Sequence, residues 1–577
     1  MLPIARWKFP DTHEDVQSRH VDTLTGDLKL HPVISKILVN RGITNTEDAK
    51  RFLFPSLKQL HNPFLMKDME KGIERLIQAL SANEKIVVYG DYDVDGITST
   101  VILVKFLSEI QEKVTYYIPG RIEEGYGLSK TAIDTFRKDG TTLIITVDCG
   151  ISSHEEIDYA VSSGIDVIVT DHHETPDTLP ECSAVINPHR DDCAFPFKSL
   201  AGVGVAFNLL IALRGRLRNL GFWKDGEYPN LRNYLDLVAI GTIGDIVPLQ
   251  DENRVLSKIG LGVINTTERV GLNALISVSN MKDRTVNSES AAFRLIPRIN
   301  AAGRIGAPED AVELFLTDDE EKAAMLAQRL DSYNKKRQEM EKIILNEILD
   351  DIDTNIDTDD TGILVFASHK WHPGVIGIVA SKLVDRYYKP VILISIKDGV
   401  GKGSGRSIVE FNLYGGIEKC SSLLLSYGGH RYAAGVSIRE EDIEEFSSAL
   451  NRIVHEEMGD RQPVQEIMVD AMCGLSEIDC SLISQIEMLA PFGNMNPEPV
   501  LHAKNITIPS STVVGNNHLK MRANGDGIQY DSIWFNRGHF SSLLAGATAD
   551  IVFTPQINRW NGNSCIQLKM KDAAISG

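Results

Sequence analysis

Ile86-Val87-Val88-Tyr89-Gly90-Asp91-Tyr92-Asp93-Val94-Asp95-Gly96 decides how this chain is read. Its first four residues are a short apolar run of the kind that forms a buried strand. Three aspartates follow within five positions, so like charges crowd the carboxyl end of that strand. Burying such a cluster is costly unless a counter-charge is present, and a divalent cation is the usual one. Working outward, further strand signals stand at Val114–Ile118, Leu143–Val147, Val167–Thr170 and Ala184–Ile186, with helical stretches at Thr98–Ile110, Ser129–Lys138 and Ser153–Ser163 between them. Short apolar strands alternating with helices predict an α/β fold with a parallel sheet covered on both faces. Asp148 follows the third strand and Asp171-His172-His173 the fourth. Ligands of open α/β sheets bind outside the carboxyl ends of the strands, so these separated segments are expected to meet in one crevice.

At 577 residues the chain exceeds one hydrophobic core, and two to four domains are expected. No apolar run approaches membrane-spanning length. The start, Met1-Leu2-Pro3-Ile4-Ala5-Arg6-Trp7-Lys8, lacks the pattern of a secretory signal. The seven cysteines are scattered and none forms a CxxC pair, which suits reduced thiols in a cytoplasmic protein. A net charge of −20 argues against a generally basic nucleic-acid binder but leaves room for a local basic groove.

Five regions are expected. Residues 1–65 are mixed, with helical character from Ile34 to Phe54 and a helix start at Asn45. Residues 66–315 hold the parallel sheet. Residues 316–360 are a connecting helix, opened by a Thr317/Glu320 capping box and closed by an acidic linker; a coiled-coil dimer arm is the alternative. Residues 361–457 form a smaller α/β unit, with strands Ile363–Ala367 and Val391–Ile396 around a helix Gly374–Tyr387. Residues 458–577 alternate short strands with Gly and Asn turns, the spacing of a small β-barrel.

Hard divalent cations prefer carboxylate oxygen, and histidine adds a preference for manganese or another transition ion. Asp93, Asp95, Asp148 and His172 can supply most of a two-metal shell. Asp245, which ends the apolar segment Leu235–Ile240, is a further candidate. A lone Asp-x-Asp-x-Asp is more often a loop and a lone His-His more often structural; their combination at three strand ends favours the metal. Gly403-Ser404-Gly405-Arg406-Ser407 reads as an anion-binding turn or as a plain turn, and Gly428-Gly429-His430 as a similar turn before a helix. Arg298, Asn300 and Arg304 are placed to line a cleft between lobes, although an arginine there is otherwise a salt-bridge partner. In the last region His518, Lys520, Arg522, Trp534, Phe535, Arg537, Arg559, Trp560, Lys569 and Lys571 interleave cations with aromatic rings, as single-strand-binding barrels do. Trp534 and Phe535 are adjacent in a strand, so one of them is expected inside the barrel.

Gly90–Gly96, Val147-Asp148-Cys149-Gly150, Thr170-Asp171-His172-His173 and Gly244-Asp245 resemble the four motifs of the DHH phosphoesterase superfamily. Gly125-Tyr126-Gly127-Leu128-Ser129, Ser199–Ala206, Pro297–Arg304, Trp371–Gly377, Gly403–Ser407 and Gly428–Gly435 extend the similarity, over nearly the whole chain, to the RecJ family of single-strand-specific exonucleases. The resemblance implies a DHH domain, a DHHA1 domain and an OB-fold. It also implies 5′-to-3′ hydrolysis of single-stranded DNA to mononucleotides with two Mn2+ or Mg2+ ions, in DNA repair and recombination. Carried over by motif, the metal ligands are Asp93, Asp95, Asp148, His172 and Asp245, with Asp91 as an added candidate. Asp148 and His173 are the catalytic pair, and His173 either hydrogen-bonds a phosphate oxygen or assists proton transfer. Implied substrate contacts are Arg298, Asn300, Arg304, His372, Ser404, Gly405, Arg406, Gly429 and His430, with Lys520, Trp534 and Arg559 in the barrel. Some superfamily members place a histidine where Tyr89 stands, so the first metal shell is expected to differ here. Implied partners are single-stranded DNA, a single-strand binding protein and a recombination helicase, for a monomeric, cytoplasmic enzyme without membrane attachment. The rival reading is a small-substrate phosphoesterase acting on oligoribonucleotides, cyclic dinucleotides or pyrophosphate. A third is a scaffold that has lost its ligands.

Overall fold

The computed structural model of the protein describes all residues except 1, 3, 11–13, 122–123, 126, 225, 356–360, 460–462, 561–562 and 576–577; Tyr126 and the end of the acidic linker thus lie outside the described residues. The Ile86–Gly90 and Leu143–Val147 strands are buried at every position, which is why they read as unbroken apolar runs. They are the second and third strands of a five-stranded, all-parallel sheet in the order Val114–Tyr117, Ile86–Gly90, Leu143–Val147, Asp166–Thr170, Ala184–Ile186. The chain order reverses between Ile86–Gly90 and Leu143–Val147. That reversal is the topological switch point, where loops diverge and leave a crevice. Asp91–Asp95 and Asp148 flank it.

The helix Glu320–Asn355 connects two lobes. Ala323, Leu326, Ala327 and Leu330 belong to the core of the first lobe, whereas Ile344, Ile348 and Ile352 pack with Val375, Ile376 and Val379 of the second. Its apolar stripe is therefore consumed within the chain, as a connector requires. The Thr317/Glu320 capping box does not form: Asp319 caps instead, its carboxylate accepting from Lys322 N at 2.8 Å.

The second lobe carries a five-stranded mixed sheet in the order Leu424–His430, Ala433–Arg439, Val400–Arg406, Val391–Lys397, Leu364–Ser368, with the helix Pro373–Tyr387 against it. The last lobe is a closed five-stranded barrel. Its strands Leu501–Val514, His518–Gly525, Ile528–Trp534, Asn563–Ile575 and Thr548–Trp560 follow in that order, and pairing of the first with the last closes it. The N-terminal helices share the barrel's core: Leu24, Ile34, Leu38 and Leu53 pack with Leu501, Phe553 and Leu568. Asn45 caps the helix Thr46–Leu53, as its sequence position suggests.

Arg254 ties the lobes together. It is almost fully buried on the helix Asp251–Ile264 and donates to Phe52 O of the N-terminal region and to Met488, Leu489 and Ala490 O before the barrel. Lys258, one turn on, donates to Ala490 O at 2.8 Å. Both cations thus satisfy carbonyls at helix C-termini, which carry partial negative charge.

Candidate metal centre

Local geometry gives the three aspartates of the opening run different roles. Asp93 caps the helix Val94–Ser108, its Oδ1 accepting from Asp95 N at 2.9 Å and Gly96 N at 3.2 Å. Asp95 sits in the first helical turn, completely buried, and its two oxygens accept from Gly202 N at 2.6 Å and Val203 N at 2.9 Å. These are the first two residues of the helix Gly202–Asn219, so a second helix N-terminus points at the cluster. Asp148 takes a left-handed conformation, φ 60°, immediately after its strand, and Gly202 lies so close that a Cβ there would meet the Asp148 carboxyl at 2.8 Å.

Asp148, His172 and Asp245 converge although they are far apart in sequence. His172 Nε2 lies 3.0 Å from Asp148 Oδ1, 3.5 Å from Asp245 Oδ2 and 3.9 Å from Asp95 Oδ2. The donors fall into overlapping groups, Asp95–His172–Asp245, Asp91–Asp93–Asp148 and Asp148–His172–His173, each with its ligand atoms within 4.8 Å of one another. His172 and Asp148 link the groups, as expected for two adjacent ions with shared ligands. Asp91 Oδ1, His172 Nε2 and Asp245 Oδ2 are buried with no hydrogen-bond partner. Buried polar atoms are rarely left so, and hard oxygen donors with one imidazole suit Mn2+ or Mg2+.

The electrostatics agree. Burial first, and then repulsion from neighbouring aspartates, pushes Asp91, Asp148 and Asp245 well above the ordinary carboxyl range and Asp95 up to about 7. Burial lowers His172 to about 4, with His173 adding to the effect, which leaves a neutral ring able to bind a cation. His173 moves the other way. Burial opposes its protonation, but its Nδ1 lies 2.7 Å from Asp171 Oδ1, and that carboxylate raises it. Asp171 is fully buried and also accepts from Ile151, His172 and His173 N. It is a clamp for the His173 ring, a role its place in the motif does not reveal.

Tyr89 is turned away from the cluster. Its ring packs on Tyr117 and Phe136, and its hydroxyl donates to Gly127 O at 2.9 Å. Asp91, not Tyr89, completes the group with Asp93 and Asp148.

Facing the acids is a set of arginines. Arg304 is largely buried, donates to Gly374 O of the second lobe at 3.1 Å, and is lowered to about 10 by burial and by Arg121, Arg337 and Arg406, with Asp93 opposing. Arg121 lies 5.0 Å over the Tyr92 ring. Arg121 and Arg304 feel the charge of Asp91 and Asp93, whereas Arg337 is ion-paired with Glu341 at 2.6 Å; guanidinium groups beside an acidic cluster suit a polyanion whose phosphate bridges both. Arg121 follows the second strand and Arg337 lies mid-helix; sequence reasoning missed both because neither stands in a motif with local meaning.

The other candidates have different surroundings. Arg298 is ion-paired with Asp331 of the connecting helix at 2.8 Å, the salt-bridge alternative. Asn300 Oδ1 accepts from Val94 N at 2.8 Å, so it holds the acid-run helix. His372 caps the helix Pro373–Tyr387 through Gly374 N. Ser404, Gly405 and Arg406 are not in a turn: they end the strand Val400–Arg406, with Arg406 donating to Ser404 Oγ and Gly405 O. Gly429 and His430 are likewise strand, in an exposed hairpin with Ala433–Arg439, and no helix follows them directly. In the barrel, Trp534 is the inward member of its pair, 4% exposed and stacked on Phe540, so it offers no open face; Phe535, 48% exposed, does. Lys520 pairs with Asp531 across the strands. The side chain of Arg559 lies outside the described residues. A cavity of about 1010 Å³ between the N-terminal segment, the barrel and Gln250 contains none of the cluster's residues.

Comparison with known proteins gives a consistent result. The chain matches the profile described as DHH family, N-terminal domain, over residues 85–242, that of the DHHA1 domain over 360–456, and that of the RecJ OB domain over 469–572. It is 40% identical over 578 residues to the single-stranded-DNA-specific exonuclease RecJ of Bacillus subtilis, covering 99% of this chain and 71% of that protein. It is 36% identical to the protein of the same name from Escherichia coli, covering 96% and 98%. The crystal structure of RecJ in complex with Mn2+ from Thermus thermophilus superposes with a TM-score of 0.84 at 29% identity, over 99% of this chain and 80% of that one. A Mg2+ complex of the same protein gives 0.78.

Proposed function

We propose, since this chain belongs to the RecJ family of single-stranded-DNA-specific exonucleases, that it hydrolyses single-stranded DNA from the 5′ end and releases 5′-mononucleotides. The observation that carries this reading is the cluster of Asp95, His172 and Asp245 beside Asp91, Asp93 and Asp148 at the switch point of the sheet. Those residues would hold two Mn2+ or Mg2+ ions. When bound, such ions act as Lewis acids toward a phosphodiester and supply its nucleophile at neutral pH.

The chain's own groups do the rest. Arg121, Arg304 and Arg406 bind phosphate oxygens and hold the strand against the acids. Asp171 fixes the His173 ring through Nδ1, which directs Nε2 outward, where it donates to a phosphate oxygen or moves a proton. Asp95 is held by two backbone N–H groups, so its carboxylate is already aimed before substrate arrives. Selectivity for single strands comes from the cleft between the two lobes, and the barrel extends the contact through Phe535 and nearby cations. The five-region division at 65/66, 315/316, 360/361 and 457/458 belongs to the same reading. So do a cytoplasmic location, a monomeric state, and partnership with a single-strand binding protein and a recombination helicase in repair. Among the described residues no helix is long and apolar enough to cross a membrane.

The test is incubation with Mn2+ and end-labelled single-stranded DNA, duplex DNA, short RNA and pyrophosphate. Mononucleotide release from the 5′ end of single-stranded DNA is expected. Activity on the small substrates alone would overturn the proposal. Asp148→Ala should abolish turnover and leave DNA binding in place.

A further inference from the structure

Ile246 follows the candidate ligand Asp245 and adopts φ 61°, a left-handed conformation in which a β-branched residue is an outlier. Its side chain is 70% exposed, so packing of the isoleucine does not hold it there. Its own helix ends there, Asp245 N donating to Gly241 O at 2.9 Å and Ile246 N to Ile243 O at 3.4 Å, and the contacts on the far side of the turn come from the barrel domain. Asn494 Nδ2 donates to Ile246 O at 2.8 Å, and Leu249 N donates to Asn494 O at 2.9 Å. These two bonds bracket the turn that starts at Asp245. Gly493 lies against Leu249, where a Cβ would come within 2.7 Å of its side chain. The barrel loop is itself fixed: Gly493 and Asn496 exchange backbone hydrogen bonds, and Asn496 Nδ2 donates to Leu489 O and Pro491 O. Ser288 Oγ donates to Phe492 O at 2.7 Å from the first lobe.

We propose that the barrel loop Pro491–Asn496 is a positioning element of the metal centre, in which Asn494 holds Asp245 in place through the strained turn at Ile246. The inference rests on the metal reading given above and adds to it. The domain that grips DNA also sets the geometry of one metal ligand, so the barrel and the catalytic cluster are coupled through a single hydrogen-bonded turn. Of the three overlapping donor groups, only the one containing Asp245 depends on this loop; the groups of Asp91, Asp93 and Asp148 and of Asp148, His172 and His173 do not.

The experiment uses the full-length, DNA-free protein and counts free Mn2+ by electron paramagnetic resonance during titration. Asn494→Ala should weaken one of the two bound ions about tenfold, the equivalent of one lost hydrogen bond, and leave the other unchanged. Turnover at subsaturating Mn2+ should fall in parallel, while affinity for single-stranded DNA in EDTA stays at the wild-type value. Glycine adopts the left-handed conformation without strain, so adding Ile246→Gly to Asn494→Ala should restore the weakened site to within about threefold. Wild-type Mn2+ binding in Asn494→Ala, or weakening that Ile246→Gly does not relieve, overturns the proposal. A wild-type protein that takes up no Mn2+ overturns the metal reading and this one with it.

Discussion

Removing metal should make stability fall with rising pH in a window that Asp95 defines. In the metal-free protein this carboxyl is fully buried, and burial together with Asp93 raises it from 3.8 to about 7, although Gly202 and Val203 N–H groups oppose the shift. A group whose folded-state pKa lies above its unfolded value contributes stability that is complete below the unfolded pKa and lost as pH rises through the folded one. The window is therefore about pH 4 to about pH 7, and a displacement of that size corresponds to about 4 kcal/mol. Asp91, Asp148 and Asp245 shift in the same direction, so they steepen the decline. The assay is unfolding in EDTA across this window, for wild type and for Asp95→Asn, repeated with saturating Mn2+. The amide introduced by Asp95→Asn cannot titrate; it forfeits one backbone hydrogen bond, a cost that does not vary with pH. The stability of the wild type minus that of the variant should thus fall by about 4 kcal/mol as pH rises in EDTA, which reverses its sign. Mn2+ should restore the wild-type protein at the neutral end and affect the variant little. Parallel stability curves for the two proteins in EDTA would refute the reasoning.

Four further outcomes follow from the same geometry. Gly202→Ala places a methyl group 2.8 Å from the Asp148 side chain, so kcat should drop at least about 100-fold while circular dichroism shows the fold retained. Asp171→Asn removes the charge that orients His173; kcat should fall about 100-fold or more with single-stranded-DNA affinity unchanged, measured by steady-state kinetics and fluorescence anisotropy. Trp534→Ala should cost about 3–5 kcal/mol of barrel stability in urea unfolding. Phe535→Ala should leave stability alone and weaken single-strand binding about tenfold, and the reverse pattern would contradict the assignment of inside and outside.

The first lobe was legible because its signals are local. Strands buried on both faces must be apolar throughout, and the acids at their carboxyl ends are more numerous than the capping of one helix requires. The second lobe was misread at Gly403–Ser407 for an equally physical reason. Its glycines at 403 and 405 suggested a turn, anion-binding or plain, yet these two and Gly401 before them sit where a Cβ would strike Val436, Leu413 and Ile394 respectively. Glycine there serves close packing across strands, and the spacing of two was the strand signal. Asp171 shows another limit. Its residue type and place in the motif were plain, but four donors converging on it come from Ile151 as well as from His172 and His173, a juxtaposition that exists only once the sheet has formed. The arginines opposite the acids come from separate elements, which no periodicity connects.

The opening run, read as one dense acidic site, divides in three dimensions between overlapping donor groups. Asp95 joins His172 and Asp245, a group with an imidazole donor, and the turn that follows Asp245 is bonded from the barrel at Ile246 O. Asp91 and Asp93 stay at the strand end and join Asp148, a group of carboxylates alone. The split follows from helix geometry: once Asp93 caps the helix, Asp95 lies inside the first turn and its side chain points toward the neighbouring N-terminus at Gly202. Tyr89, committed to the Gly127 carbonyl, adds no imidazole on the other side. His172 lies 3.0 Å from Asp148 and belongs to groups on both sides, so its imidazole, and the preference for Mn2+ that it adds, would be shared between the two positions.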